Sequence, residues 1–315
     1  MRRLLLVVPT VVGIVLAGFV LVHVAPGDPV IALAGENGDA AYYAFMRHRF
    51  GLDQPLPQQL VTWFSRVAVG DFGTSYVNGR GSLGVIMERA PATLLLTGTA
   101  LIIAIVAAVP LAVFAANRPS GARDASINAI ALAFSSAPAF WIAQIAMLVV
   151  ALRLGLAPVQ GMTSAGSDRE GIAKVLDVAR HLALPALVLA SQEVAVLVRL
   201  TRASLMDELR RDHIRTARAK GVRELAVMMR HALPRALMPA INLIGARMGQ
   251  LIAGAAVVEV VFGWPGIGRL LVTSLETRDA PLLLGLFLII AFAVTIANLV
   301  TDLIHAAIDP RIRLS

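Results

Sequence analysis

Arg215-Thr216-Ala217-Arg218-Ala219-Lys220-Gly221, then nine residues, then His231-Ala232-Leu233-Pro234, is the stretch on which the reading of this chain turns. It lies in a charged, helix-prone block, residues 201–237, between two strongly apolar runs. Gly221 follows Arg/Ala/Lys-rich helical residues and suits a helix C-terminus, where a left-handed backbone carries no Cβ penalty. Arg218 and Lys220 fall in that last turn, where the helix dipole favours cations. Val222, Leu225, Ala226 and Met229 then recur at i, i+3, i+4 and i+7, the apolar face of a second short helix, and Pro234 stops it. The pattern predicts two short arms joined at Gly221, with small Thr216, Ala217 and Ala219 before the bend so that another surface can approach the backbone. The alternative is an ordinary solvated basic loop between membrane spans, and the rest of the chain decides.

The 315 residues are 57% hydrophobic and 15% charged, with a mean hydropathy of +0.76. A soluble domain carries about 25% charge, so the composition is that of an integral membrane protein. The net charge of +8 is spread through short segments beside apolar runs, which argues for membrane topology rather than nucleic-acid binding. The chain has no cysteine, which excludes disulfides, thiol nucleophiles and thiolate metal sites. The six histidines form no metal-ligand spacing, so no metal site is expected.

Six runs are long enough to cross about 30 Å of hydrocarbon: residues 4–24, 92–116, 127–152, 182–200, 238–261 and 282–304. The first follows Met1-Arg2-Arg3 and, at membrane length, reads as a retained span rather than a signal peptide. Arg2, Arg3, Arg118, Arg123, the basic residues from Arg199 to Arg235, Arg311 and Arg313 all fall on one side of such a topology. The positive-inside rule makes that side cytoplasmic: N-in, C-in, with the 201–237 block facing the cytoplasm.

Residues 25–91 are too long for a simple connector. Turns at Pro26-Gly27-Asp28-Pro29 and Asp71-Phe72-Gly73-Thr74-Ser75, with amphipathic helices over Tyr42–Phe50 and Leu60–Val69, predict a helical extracytoplasmic insert. Residues 153–181, with Gly161, Gly166 and Gly171, predict a mobile loop. Gly263-Trp264-Pro265-Gly266-Ile267-Gly268 breaks the fifth span near the outer interface, a position that suits Trp264.

With these segments in place, the chain resembles the first permease subunit of the dipeptide/oligopeptide/nickel branch of ATP-binding-cassette importers. Such permeases carry a cytoplasmic pattern Glu-Ala-Ala, three residues, Gly, nine residues, Ile-x-Leu-Pro. Ala217, Gly221, Leu233 and Pro234 match it, while Arg215 stands for the Glu, Thr216 for the first Ala and His231 for the Ile. Other features carrying the resemblance are Pro26–Pro29, Gly51-Leu52-Asp53-Gln54-Pro55-Leu56-Pro57, Gly70-Asp71-Phe72-Gly73 and Arg199-Leu200-Thr201-Arg202-Ala203-Ser204-Leu205. Toward the C-terminus come Glu259-x-x-Phe262-x-x-Pro265-Gly266-x-Gly268 and Asp309-Pro310-Arg311-Ile312-Arg313. The resemblance implies an all-α, six-helix type I importer permease fold in the bacterial cytoplasmic (inner) membrane. It implies partners as well: a second homologous permease, two ATPase subunits (or a fused one) that bind ATP and Mg, and an extracytoplasmic substrate-binding protein. Arg215, Thr216, Ala217, Gly221, Val222, Leu225 and Pro234 become the candidates for ATPase coupling. The chain's two lysines, Lys174 and Lys220, sit in no phosphate-loop motif, so hydrolysis belongs to another subunit and no cofactor is expected here.

Polar residues inside spans face a bundle interior or cavity rather than lipid. Glu193, Asn242, Arg247 and Gln250 are candidates for a translocation path; Asn298 of the sixth span would also face inward, and Asp302, near its cytoplasmic end, reads as interfacial. Interhelical glue, including a Glu193–Arg247 ion pair, stands as an equal reading. Glu259, Trp264, Pro265 and Gly266 are candidates for an outer gate or turn, with a structural role for Glu259 ahead of substrate contact. Ser135, Ser136 and Pro138 read as packing and kink residues. An intramembrane enzyme lacks a nucleophile–base or metal-ligand set, and a stand-alone secondary carrier does not require the patterned cytoplasmic block. Import driven by ATP is the expectation, with di- or oligopeptides as cargo and nickel chelates, glutathione, haem or oligosaccharides as alternatives.

Overall fold

The computed structural model describes residues 12–20, 39–117, 119–166 and 169–308, with positions 9, 24 and 30. Most of the expected first span, the Pro26–Pro29 turn, Arg118, the tail from Asp309 and the side chain of Asp302 lie outside the described residues. Contacts group the chain into two compact units, one from Met1–Thr93 and Pro265–Ile296, the other from Leu94–Trp264 and Ala297–Leu314.

Helix follows helix: α1 (Ala40–Phe50), α2 (Leu56–Ala68), α3 (Ser82–Ala116), α4 (Ala122–Ser136), α5 (Ala139–Ala146), α6 (Gly171–Glu208) and α7 (Asp212–Ala219). Then come α8 (Glu224–Ala226), α9 (Leu233–Ala236), α10 (Met238–Ala246), α11 (Met248–Val261), α12 (Ile267–Glu276) and α13 (Ala280–Ile308). Wider π turns follow α5 at Met147–Arg153 and join α8 to α9 at Val227–Ala232. Among the described residues the only β pairing is an isolated antiparallel bridge, Thr74 to Gly81.

Among the described residues three helices are long and apolar enough to cross a membrane: Ser82–Ala116, Gly171–Glu208 and, within α13, Ala280–Thr301. Two bent pairs raise the number to as many as five. Apolar side chains on the outside mark a lipid-facing surface. In α3, Leu94, Ile102 and Val106 are exposed, whereas Leu96, Ala100, Ala104, Ala108 and Ala112 form a buried stripe at every fourth position. Such small residues permit the close helix approach on which packing in lipid depends.

Several boundaries differ from the sequence expectation. At 1.5 Å per residue, 35-residue α3 and 38-residue α6 are roughly 52 and 57 Å long, well beyond about 30 Å of hydrocarbon. Hydropathy locates only the apolar middle of such helices. The run 127–152 is bent by 103° at Ala137-Pro138, where a kink residue was expected. Pro138 has no N–H and disfavours helix at the residue before it, and Ala137 is accordingly extended. None of the residues of α1 is buried, so α1 is not the amphipathic helix expected there. Within 153–181, α6 already begins at Gly171, and described residues ahead of it are tied to its first turns. Buried Asp177 accepts from the Ser164 N–H and Oγ, both at 2.7 Å, and from Arg169 at 3.1 Å. The Gly161 N–H also donates to the Phe262 carbonyl at 2.9 Å.

In the first unit, Val85, Ile86, Ile267, Leu282 and Leu286 form a core, and the Ile267 N–H donates to Thr93 Oγ1 at 2.8 Å. Buried Asp279 accepts from Ser75 Oγ and, through Oδ1, from the Leu282 N–H in the first turn of α13.

In the second unit, Asp124 at the start of α4 is buried and clamped by Arg202 of α6, whose Nε and Nη2 meet its two carboxylate oxygens. The Ser120 N–H and the Asn128 amide complete its shell at 3.0 and 2.8 Å. The Arg202 guanidinium, helped by the Ser120 N–H, holds the Asp124 carboxyl below the usual aspartate range. A depressed folded-state value stabilises the fold above the unfolded value of about 3.9 and is lost as pH falls through the folded value. Asp124→Asn is therefore expected to unfold at lower temperature than wild type at pH 7. That gap should close as both proteins are acidified below about pH 4, and an unchanged gap in thermal melts down to pH 3 would contradict the clamp.

Candidate functional site

The block after α6 builds the bend that the sequence predicts, with a different second arm. Asp212 opens α7, where a carboxylate suits the helix dipole. Ile214 and Ala217, three residues apart, are buried against Ala116, Leu205, Val227, Met228, Ala232 and Ala236. At the C-terminus Gly221 takes φ +76. Its N–H donates to the Arg218 carbonyl at 2.9 Å and the Val222 N–H to the Ala217 carbonyl at 3.3 Å. This is the paired bonding of a left-handed helix stop, and Val222 packs on the same cluster as Ala217. Arg218 then reaches across the bend to Glu224, Nε to Oε2 at 3.0 Å and Nη2 to Oε1 at 2.5 Å, and holds that carboxyl below its usual range.

The expected face Val222, Leu225, Ala226, Met229 is not the buried one. Val227, Met228 and Ala232 turn inward, while Leu225 is 70% exposed and Met229 45%. The π turn over Val227–Ala232 rotates the register. It also explains Pro234, which does not stop the helix but sits in the first turn of α9. In an unbroken α-helix its ring would meet the Arg230 carbonyl and its missing N–H would break a bond; a wider turn just before it relieves both.

Arg215 and Thr216 are exposed beside the bend, and Ala217 lies beneath them. Leu225 and Met229 are therefore apolar points on a surface that also carries exposed Lys220, Arg223 and Arg230. Behind the block, buried Glu208 at the end of α6 faces Arg211 at 2.9 Å, His213 at 3.2 Å and Arg235 at 3.6 Å. Spacing gave no sign of this anchor, because its partners come from both arms.

Of the candidate path residues, Glu193 and Arg247 meet in a two-pronged ion pair, Nε to Oε2 and Nη2 to Oε1, each at 3.2 Å. Glu193 is nearly buried, and Arg247 keeps 26% of its side chain exposed. Arg247 occupies the break between α10 and α11, where the run Glu224–Ala246 and Met248–Val261 meet at 58°. Asn242, Gln250 and Asn298 are exposed. Nearby on α6, the Gln192 amide donates to the Ala137 carbonyl at 2.9 Å, satisfying the backbone at the α4–α5 break.

The outer-turn candidates divide between the units. Glu259 and Trp264 are fully buried, and the Trp264 N–H donates to the Glu259 carbonyl at 2.8 Å beside Gly263 at φ +61. Trp264 is thus a core residue rather than an interfacial one. Pro265 is half-buried, and buried Gly266 precedes α12, its carbonyl accepting from the Leu270 N–H at 3.1 Å. Among the described residues no cluster of metal-ligating side chains occurs.

Residues 108–314 match the family of binding-protein-dependent transport system inner membrane components, and residues 1–97 match its N-terminal domain. The chain is 39% identical to a peptide permease protein of Brucella ovis, covering 100% of this chain and 98% of that one. It is 36% identical to the dipeptide transport system permease protein DppB of Escherichia coli, over 99% and 98%. It is 37% identical to the glutathione transport system permease protein GsiC of Pectobacterium atrosepticum, over 99% and 97%. The chain belongs to the binding-protein-dependent inner-membrane components, the permeases of ATP-binding-cassette importers of the dipeptide/oligopeptide/nickel kind.

Proposed function

We propose that this chain is the transmembrane permease subunit of an ATP-driven importer of di- and oligopeptides. The observation that carries the mechanism is the braced bend at Gly221, which presents Arg215, Thr216, Leu225 and Met229 outward from a buried apolar base. In this reading the bend docks on a separate ATPase subunit, and ATP-driven closure there moves α6 and α10, the helices that flank the block. The chain spans the membrane six times, N-in and C-in, with residues 25–91 as an extracytoplasmic insert. It works with a second permease, two ATPase subunits that bind ATP and Mg, and a substrate-binding protein. The absence of a phosphate-loop motif around Lys174 or Lys220 supports assigning hydrolysis to those partners. Peptide cargo is supported by the names of the relatives; the glutathione permease among them supports a modified tripeptide as the second reading.

Gly221 has open space around its Cβ position, so substitution there tests backbone geometry alone. A left-handed residue with a Cβ costs about 1–2 kcal/mol, and Asn tolerates the region better than a β-branched residue. Gly221→Val is expected to insert normally but to lose ATP-dependent uptake in reconstituted vesicles, with Gly221→Asn retaining most of it. Wild-type uptake by the Val variant would remove the coupling role.

Glu193 and Arg247 are proposed as the charged members of the path. Arg247→Ala leaves a buried carboxylate unpaired, a loss of about 3–5 kcal/mol, so the double variant Glu193→Gln/Arg247→Gln is the informative one. It should assemble with its partners yet change the rate or selectivity of uptake. If it assembles and transports as wild type does, the pair only holds α6 to the α10–α11 break.

A further inference from the structure

The unit formed by Met1–Thr93 and Pro265–Ile296 contains a cavity of about 400 Å³ that plays no part in coupling or in the Glu193–Arg247 pair. Part of its lining is apolar: Phe19, Ala280, Pro281 and Leu284. The remainder is rich in donors, with Arg49, Arg66, Trp63, Tyr76 and His48 among them, and among the described residues it contains no aspartate or glutamate. His48 is already matched, its Nδ1 lying 2.9 Å from Asp53. The two guanidinium groups are not: among the described residues neither has an ion-pair or hydrogen-bond partner, and Arg49 only leans over the Phe50 ring, 5.9 Å from its centre. The Trp63 indole nitrogen is buried and, among the described residues, has no acceptor. A buried donor without an acceptor costs about as much as a lost hydrogen bond and calls for an explanation. Burial, and then the charge of Asp279, push the Tyr76 phenol well above its ordinary range, with Arg66 opposing the shift. Tyr76 therefore stays a neutral O–H at physiological pH, and Arg66 lies within electrostatic reach of it.

Unpaired cations and a lining that, among the described residues, holds no acid together select a ligand that accepts hydrogen bonds and carries negative charge. The adjoining apolar wall selects one with an apolar body. We propose that this cavity binds an amphiphilic anion, its carboxylate or phosphate held by Arg49 and Arg66 and its apolar part against Phe19, Pro281 and Leu284. Two sources offer that chemistry, an acidic phospholipid and the C-terminal carboxylate of a peptide with an apolar last residue. The peptide source rests on the import reading above; the lipid source does not, so failure of one leaves the other standing.

The test uses the purified full chain in detergent, as wild type, Arg49→Gln/Arg66→Gln and an Arg153→Gln control. Arg49, Arg66 and Arg153 are all exposed, so the variants should melt with wild type. Four probes are titrated, with native mass spectrometry as the readout: phosphatidylglycerol, phosphatidylcholine, and the dipeptide Ala-Phe with a free or an amidated C-terminus. Charge-assisted hydrogen bonds are the strong ones, so an anionic probe should bind about tenfold or more weaker to the double variant than to wild type and the control. Its neutral counterpart should show no such difference. A tenfold loss for phosphatidylglycerol identifies a lipid site, and the same loss for the free dipeptide identifies a cargo site. If neither anionic probe distinguishes wild type from the double variant, the proposal is wrong.

Discussion

A charge removed from water must be matched, and in the second unit the matching runs through one helix. Asp177, Glu193, Arg202 and Glu208 all lie on α6, and each is paired with a residue from elsewhere in the chain: Arg169, Arg247, Asp124 and the Arg211–His213–Arg235 group. Buried ion pairs contribute little net stability compared with apolar packing, but breaking one is expensive and strongly disfavours alternatives. Their effect here is on register. Helices that slide over one another along stripes of alanine need something to fix their positions, and four charged contacts along α6 supply it.

The same logic separates a rigid base from a presented surface in the 201–237 block. Leu205, Ile214, Ala217, Val227, Met228 and Ala232 pack together, and Glu208 gathers basic groups from both arms behind them. The exposed side keeps Arg215, Thr216, Leu225 and Met229. A bend fixed by two backbone hydrogen bonds and the Arg218–Glu224 bridge transmits force better than a solvated loop of the same composition, because it has few internal torsions left to absorb a push.

Much of this was legible in the sequence, and the misses have physical causes. Gly221 announced itself as a glycine after a cationic helical run. Pro234 misled because a local rule about proline does not anticipate a π turn that makes room for it. Helix ends were not legible because hydropathy senses lipid, whereas α3 and α6 continue past their apolar runs on the strength of packing and paired charges. Asp124 and Arg202 are 78 residues apart, and Arg218 with Glu224 spans the bend; no periodicity links either pair. Trp264 was placed at an interface from its position at the break of the fifth span and its residue type, and it is instead fully buried.

The unbroken length of α6 sets a scale for motion. A rod of roughly 57 Å that is held near its middle by Glu193 and at its far ends by Asp177 and Glu208 behaves as a lever. Rotation by about 5° around the middle contact would carry each tip some 2–3 Å, comparable to the shifts by which packed helices switch between discrete arrangements. Such a displacement is too large for the hydrogen bonds at both ends to stretch and follow. One end must therefore let go, or re-pair, whenever the other is pulled, so the contacts at the two ends of α6 cannot be remodelled independently.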